Sequence, residues 1–398
     1  MDIKSIGVID TDSHIVERPE HYKAYIEDGY QVPQVVADKE RGTEYWVING
    51  ELVPRPIGAA GPGVFKGLIQ HYNHPQFGKV VDVNGLTPSS KDGALDDIEG
   101  RIKDMDIIGI KTQVVNPTIG IQISMIKDSR TALALGKAYN NYVSSKLKGQ
   151  SRIKANYIVP LQNVEDAIDE LKRIVRLDGF AGIAVPPIVT TDGNIGLSIK
   201  ATSDPSFDEF WKEVSKLKVP VTFHSLSSLP LPWIILGKKY LYSRMFTHTT
   251  SMQWILTTMI GEGYFDRYPD LKILLAEAGA TWIPHWLFYL EEQYEHPSLK
   301  LEEKYMHIKE LPEKRPLEYF KAGNLYVSVE AEEPTDILRY IIDKMGIGSQ
   351  LVFATDYGHE EMDLKAVEKF VEHQKSLGEN DLKQIMSANG SKFYGLNE

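Results

Sequence analysis

The chain has no cysteine among its 398 residues. That excludes disulfides, a thiolate nucleophile and any zinc or iron–sulfur site built on thiolates. It also lacks positive charge: 44 Lys and Arg stand against 55 Asp and Glu, a formal net charge of −11. Such a balance disfavours phosphate backbones and anionic lipid surfaces, so neither nucleic acid nor membrane is an expected partner. No uninterrupted apolar run approaches the roughly 20 residues of a membrane span. The stretch 1-MDIKSIGVID-10 carries no apolar segment of signal-peptide length. The expectation is a cytoplasmic protein.

What is present is enough apolar material for one large core, since 42% of residues are hydrophobic and 25% charged, an ordinary globular balance. Short β-branched runs alternate with helical patterns. The runs are 5-SIGVIDTDSH-14, 112-TQVVNPTI-119, 153-IKANYIVPL-161, 180-FAGIAVPPI-188, 219-VPVTFHSL-226, 272-KILLAEAG-279, 325-LYVSVEAE-332 and 351-LVFATDYG-358. Eight strands alternating with helices point to an α/β fold, the (β/α)8 TIM barrel. Helix edges are readable between them. Leu95, Ile98, Ile102 and Met105 share a face, with Gly109 placed to end that helix. Asn163 is placed to cap 164-VEDAIDELKRIV-175, and Asp204-Pro205 opens the helix that follows.

Residues 17–90 break the alternation. They are too many for a strand-to-helix loop and read as a long insertion after strand one, a lid or cap within a single domain spanning 1–398. Within it, 43-TEYWVINGELV-53 has the pattern of a hairpin about Asn49-Gly50.

In a TIM barrel the chemistry sits where the strands end. The first strand ends in 10-DTDSH-14. Side chains two apart share a strand face, so Asp12 and His14 converge, with Asp10 a layer deeper in support. The fifth strand ends at His224, the sixth at Glu277, the eighth at Asp356 followed by His359. Each residue alone has a bland reading: a satisfied core histidine, a cap, a turn. Together, ionisable groups at four strand ends are costly to bury unpaired, and a divalent metal neutralises them.

The ordered set Asp-x-His, Phe-His, Ala-Glu-Ala-Gly and Thr-Asp-Tyr resembles the amidohydrolase-related family. So do 265-FDRYPDLKILLAEAGATWIPHWL-287, 353-FATDYGH-359 and 385-IMSANGSKFYGL-396. That family holds metal-dependent TIM-barrel hydrolases and aminocarboxymuconate semialdehyde decarboxylase-like enzymes. The resemblance implies metal ligands Asp12, His14, His224 and Asp356 around one divalent ion, zinc first and manganese second, and a homodimer. Two departures stand out. The first strand carries Asp-x-His where well-known members have His-x-His or Glu-x-His. Glu277 stands where the decarboxylases tend to have a histidine.

The leading expectation is therefore a hydrolase acting on a small cyclic or carboxylated molecule through activated water, with Asp356 or Glu277 as catalytic base. The alternative is a non-oxidative decarboxylase of an aromatic or muconate-like acid. His248, His359, Arg244, Trp282 and Tyr357 are the candidates for contacting substrate. A barrel that binds without catalysing is the third reading, and the retained acids and histidines argue against it.

Overall fold

The computed structural model describes residues 6–38, 43–48, 50–53, 83–90, 93–192, 197–225, 240–306, 312–359 and 362–396. Eight strands form one sheet: β1 (Val8–Ile15), β2 (Ile110–Pro117), β3 (Ile153–Ile158), β4 (Phe180–Val185), β5 (Val221–Phe223), β6 (Ile273–Leu275), β7 (Leu325–Val329) and β8 (Leu351–Phe353). They are ordered β1 to β8 with every neighbouring pair parallel. The first and last strands meet and close the ring. His14 N donates to Tyr357 O at 2.7 Å and Asp356 N to Asp12 O at 2.9 Å. The Thr11 hydroxyl donates to Phe353 O at 2.8 Å. All eight strands expected from the sequence are there, and the fold is the TIM barrel.

The β-branched runs form strands because both faces are covered. One large apolar cluster fills the space between strands and helices, taking in Val115, Ile153, Ile183, Val221 and Phe353. A smaller one contains Val114, Leu274, Tyr326 and Val352, with Phe393 and Tyr394 of the C-terminal helix Asn389–Tyr394 packed into it. Burial of each such side chain contributes about 1.5–3 kcal/mol. The helix ends follow their sequence signals. Asn163 accepts from Asp166 N, Asp204 from Ser206 N, and Gly109 ends its helix at φ 94°.

β1 differs from the other strands. All eight of its residues are buried, yet Asp10, Thr11, Asp12, Ser13 and His14 are polar. Its register against β2 slips between Asp10 and Ser13. A slip of this kind re-aims side chains and is common beside functional sites.

Of the expected lid, the described residues form a short helix, Pro19–Lys23, and an antiparallel sheet of Gln34–Asp38, Thr43–Ile48 and Glu51–Val53. Ile48 pairs with Glu51, as the expected hairpin requires. Trp46 is buried and lies edge-on to Tyr22, 5.9 Å between ring centres, which ties this sheet to the main core. Residues 54–82 lie outside the described residues.

Candidate metal centre

Three strand ends bring three donor groups around His14. His14 Nε2 lies 3.0 Å from His224 Nε2, 3.4 Å from Asp12 Oδ1 and 3.4 Å from Asp356 Oδ1. His224 Nε2 lies 3.7 Å from Asp12 Oδ1. Donors held about 2.0–2.2 Å from a common ion stand roughly 3–3.5 Å apart, so Asp12, His14 and His224 stand close to the spacing of a metal shell, and Asp356 adjoins it through His14. The chemistry fits too: two imidazoles and two carboxylates suit a borderline or hard divalent cation. Asp12, His14 and His224 form one group able to hold an ion, and His14, Asp356 and His359 an overlapping one.

Burial makes the cluster costly without a cation. Asp12, His14 and His224 are nearly fully enclosed. Burial pushes the Asp12 carboxyl up to about 6, against the pull of His224. Burial, and then the neighbouring His359 and His224, push the His14 imidazole well below its usual range. A neutral imidazole is the form that coordinates a metal.

The surrounding residues aim these groups. Asn116 Nδ2 donates to Asp12 Oδ1 at 2.8 Å, and Asn156 Nδ2 donates to Asn116 Oδ1 at 2.7 Å. The register slip in β1 falls between Asp10 and Ser13, and Asp10 bonds to residues behind the donors. It accepts from Gln113 Nε2 at 3.0 Å and Thr355 Oγ1 at 2.6 Å, and it reaches Asp12 through the Asp12 backbone N–H at 3.3 Å. Gln113 in turn accepts from Arg101 Nε at 2.8 Å, and Arg101 Nη1 donates to the His14 carbonyl at 3.0 Å. Asp10 thus supports the strand that carries the donors.

Glu277 stands on the other side of His224. Its Oε2 lies 3.4 Å from His224 Nδ1 and 3.2 Å from His248 Nδ1, and it accepts from Ser225 Oγ at 2.7 Å. Burial alone would raise this carboxyl, but the charges of His248 and His224 hold it well below the usual range. Glu277 belongs to neither of the two groups able to hold an ion. His248 lies beside Glu277 and Ser225, with Nδ1 2.6 Å from Ser225 Oγ. His359 stacks on His14 at 3.7 Å between ring centres, and its Nδ1 lies 2.8 Å from Asp356 Oδ1.

Two of the expected substrate contacts are placed elsewhere. Tyr357 is buried beneath the Arg101 guanidinium, 4.8 Å from its ring centre, and its hydroxyl donates to Asp104 Oδ2 at 2.7 Å. Trp282 is buried in the large apolar cluster, and its indole N–H donates to Gly279 O at 2.8 Å. The hydroxyl of Tyr357 and the indole N–H of Trp282 are thus both spent on partners other than the four donor residues. Arg244 falls in the helix Tyr240–Gly261, but its side chain lies outside the described residues. The sequence reading missed Asn116, Thr118 and Ser225. These are single polar residues at strand ends, and only the type of position could have flagged them.

The profile of the amidohydrolase family matches residues 96–396. A gamma-resorcylate decarboxylase from Rhizobium sp. is 27% identical over 345 residues, covering 83% of this chain and 97% of that protein. Among solved structures, an amidohydrolase from Mycobacterium avium subsp. paratuberculosis superposes with a TM-score of 0.72 at 21% identity, over 98% of this chain and 99% of that one. A dihydroxybenzoic acid decarboxylase from Polaromonas sp. JS666, solved with bound manganese and the inhibitor 2-nitroresorcinol, gives 0.66 at 19% identity, over 98% of each chain. Hydrolysis, the leading expectation from the sequence, is overturned by the curated relatives, which are decarboxylases. With that profile matched from residue 96 to residue 396, the chain belongs to the amidohydrolase family.

Proposed function

We propose that this chain is a metal-dependent, non-oxidative decarboxylase of an aromatic or muconate-like carboxylic acid. The observation that carries the reading is the position of Asp356. Its Oδ1 sits at the edge of the donor cluster, 3.4 Å from His14 Nε2, and also 2.8 Å from His359 Nδ1. It is half-buried, not sealed. A carboxyl there can meet both a bound ion and a substrate entering from the barrel mouth. The decarboxylase relatives support the reaction class.

Asp12, His14, His224 and Asp356 would hold the ion. A divalent cation bound there supplies positive charge to a substrate carboxylate or phenolate oxygen and so orients the acid. Two carboxylates among the donors suit manganese as well as zinc. The Polaromonas structure carries manganese, so manganese is the ion we propose first.

Asp356 then delivers a proton to the ring carbon that bears the carboxylate. A C–H bond forms, the C–C bond to the carboxylate breaks, its electron pair returns to the ring, and carbon dioxide leaves. Asp356 regains its proton from solvent, with His359 holding its carboxyl in place. Glu277, Ser225 and His248 fix the ring of His224 from behind. His248, beside Glu277 and Ser225, and His359, beside His14 and Asp356, are the side chains we assign to substrate contact. The segment 17–90 is assigned the part of a cap that selects substrate, and the chain is proposed to work as a homodimer.

The test is product analysis with manganese-loaded protein and a panel of hydroxybenzoates in isotopically labelled water. The reading requires carbon dioxide release and a solvent hydrogen on the former carboxyl-bearing carbon. Solvent oxygen entering the product, without carbon dioxide, would sink it.

A further inference from the structure

One hydroxyl joins the two histidines that flank Asp356. Thr118 Oγ1 lies 3.2 Å from His14 Nδ1 and 3.0 Å from His359 Nε2. The other nitrogen of each ring is engaged: His14 Nε2 faces the donor cluster, and His359 Nδ1 faces Asp356 Oδ1. A hydroxyl has one proton to donate and lone pairs to accept. The proton positions along this chain are therefore linked.

With a cation on His14 Nε2, that nitrogen uses its lone pair and Nδ1 must carry the proton. His14 Nδ1–H then donates to Thr118 Oγ1. The Thr118 O–H then points to His359 Nε2, which accepts it. His359 in that state carries its own proton on Nδ1, the nitrogen that faces Asp356 Oδ1 at 2.8 Å. The order runs one way, from His14 through Thr118 to His359, and each ring is held in one tautomer. His14 is fully buried, so its Nδ1–H has no recourse to water. Among the described residues, Thr118 is its hydrogen-bond partner.

The backbone around Thr118 is built to hold the hydroxyl there. Glu17, which is buried, accepts from the backbone N–H groups of three consecutive residues: Thr118 at 3.2 Å, Ile119 at 2.8 Å and Gly120 at 2.9 Å. The third of these positions has no room for a side chain, since a Cβ on Gly120 would lie 2.4 Å from Ile158 Cδ1 and 2.9 Å from Glu17 Oε1. A carboxylate from the end of β1 thus clamps the loop after β2, and that clamp aims the hydroxyl at the two rings.

We propose that Thr118 is a positioning residue for the metal centre: its hydroxyl sets the tautomers of His14 and His359 and thereby the affinity of the site for its ion. The proposal rests on the reading of His14 Nε2 as a ligand atom. Partners one layer behind the ligands typically carry about 10- to 100-fold in metal affinity.

The experiment titrates metal-stripped full-length protein with manganese and, separately, zinc, by calorimetry, beside Thr118→Val and Thr118→Ser. Valine keeps the shape and removes the hydroxyl; serine keeps the hydroxyl and removes the methyl. The expected result is binding weakened by about 10- to 100-fold in Thr118→Val and restored to near the wild-type value in Thr118→Ser. Melting curves of the stripped proteins identify folded variants, and Thr118→Ala replaces valine if that variant does not fold. Equal affinity in wild type and Thr118→Val, or equal weakening in Thr118→Ser, overturns the proposal and leaves the metal site standing. Absence of binding by the wild type overturns the metal site itself and this proposal with it.

Discussion

Glu277 and Asp356 hold the same left-handed backbone conformation, φ 59° and 52°, at the ends of β6 and β8. Only one other non-glycine residue among those described does so. A side chain in this region carries strain of order 1–3 kcal/mol and persists where the surroundings over-determine it. Both residues touch the histidines of the donor cluster, so the strain sits where chemistry is expected.

This gives a prediction about stability against function. Glycine adopts φ > 0 without a penalty. Asp356→Gly should therefore leave the metal-stripped protein as stable as wild type or about 1 kcal/mol more stable, while metal binding is lost. Denaturant unfolding in the presence of a chelator checks it. A loss of more than about 2 kcal/mol would mean that Asp356 serves the fold first.

Tyr357 yields a prediction of the opposite kind. Its hydroxyl donates to Asp104, whose carboxylate also accepts from the backbone N–H groups of Ser89 and Ser90 at 2.6 and 2.9 Å. Tyr357→Phe removes one hydrogen bond from a buried, still-supported acid, at about 1–2 kcal/mol. Because the ring packs against Arg101 and not into the mouth, KM should not change. A raised KM with unchanged stability would return Tyr357 to the substrate site.

A pH dependence follows from two buried acids outside the donor cluster. Burial pushes Glu17 up to about 7, against the backbone N–H groups of Ile119 and Gly120, and Glu333 likewise, against those of Glu330 and Ala280. Both folded values lie above the roughly 4.3 of an unfolded glutamate. The folded protein therefore holds these protons more tightly. Their contribution to stability is fully present below about pH 4 and is lost as pH rises through about 7. The stability of wild type relative to a Glu17→Gln, Glu333→Gln double variant should fall between pH 5 and pH 8. A difference that does not vary with pH would contradict the assignment.

Much of this was legible in the sequence, for reasons that can be stated. Strands buried on both faces read as β-branched runs, and all eight were found. Caps such as Asn163 and Asp204 are local, so the sequence carries them whole. Asp12, His14, His224 and Asp356 stood out because ionisable residues at strand ends are rare unless paired. The misses are non-local or conformational. The register slip in β1 between Asp10 and Ser13 has no local sequence signal. The positive φ at Asp356 ends the strand alternation, so the direction of Tyr357 could not be extrapolated. Thr118 and Ser225 matter only through partners brought near by the fold. Glu17, for instance, meets amides 101 to 103 residues away. Hydrolysis and decarboxylation share a metal shell, and the ligand residues alone do not separate them.

Asp12, His14, His224 and Asp356 are proposed to hold one divalent ion at the barrel mouth. The decisive measurement is elemental analysis of purified protein after incubation with manganese or zinc, beside a His14→Ala, His224→Ala double variant. About one ion per chain is expected in the wild type and none in a variant that still folds. A wild type that takes up no metal, or a double variant that retains it, would rule out this metal centre.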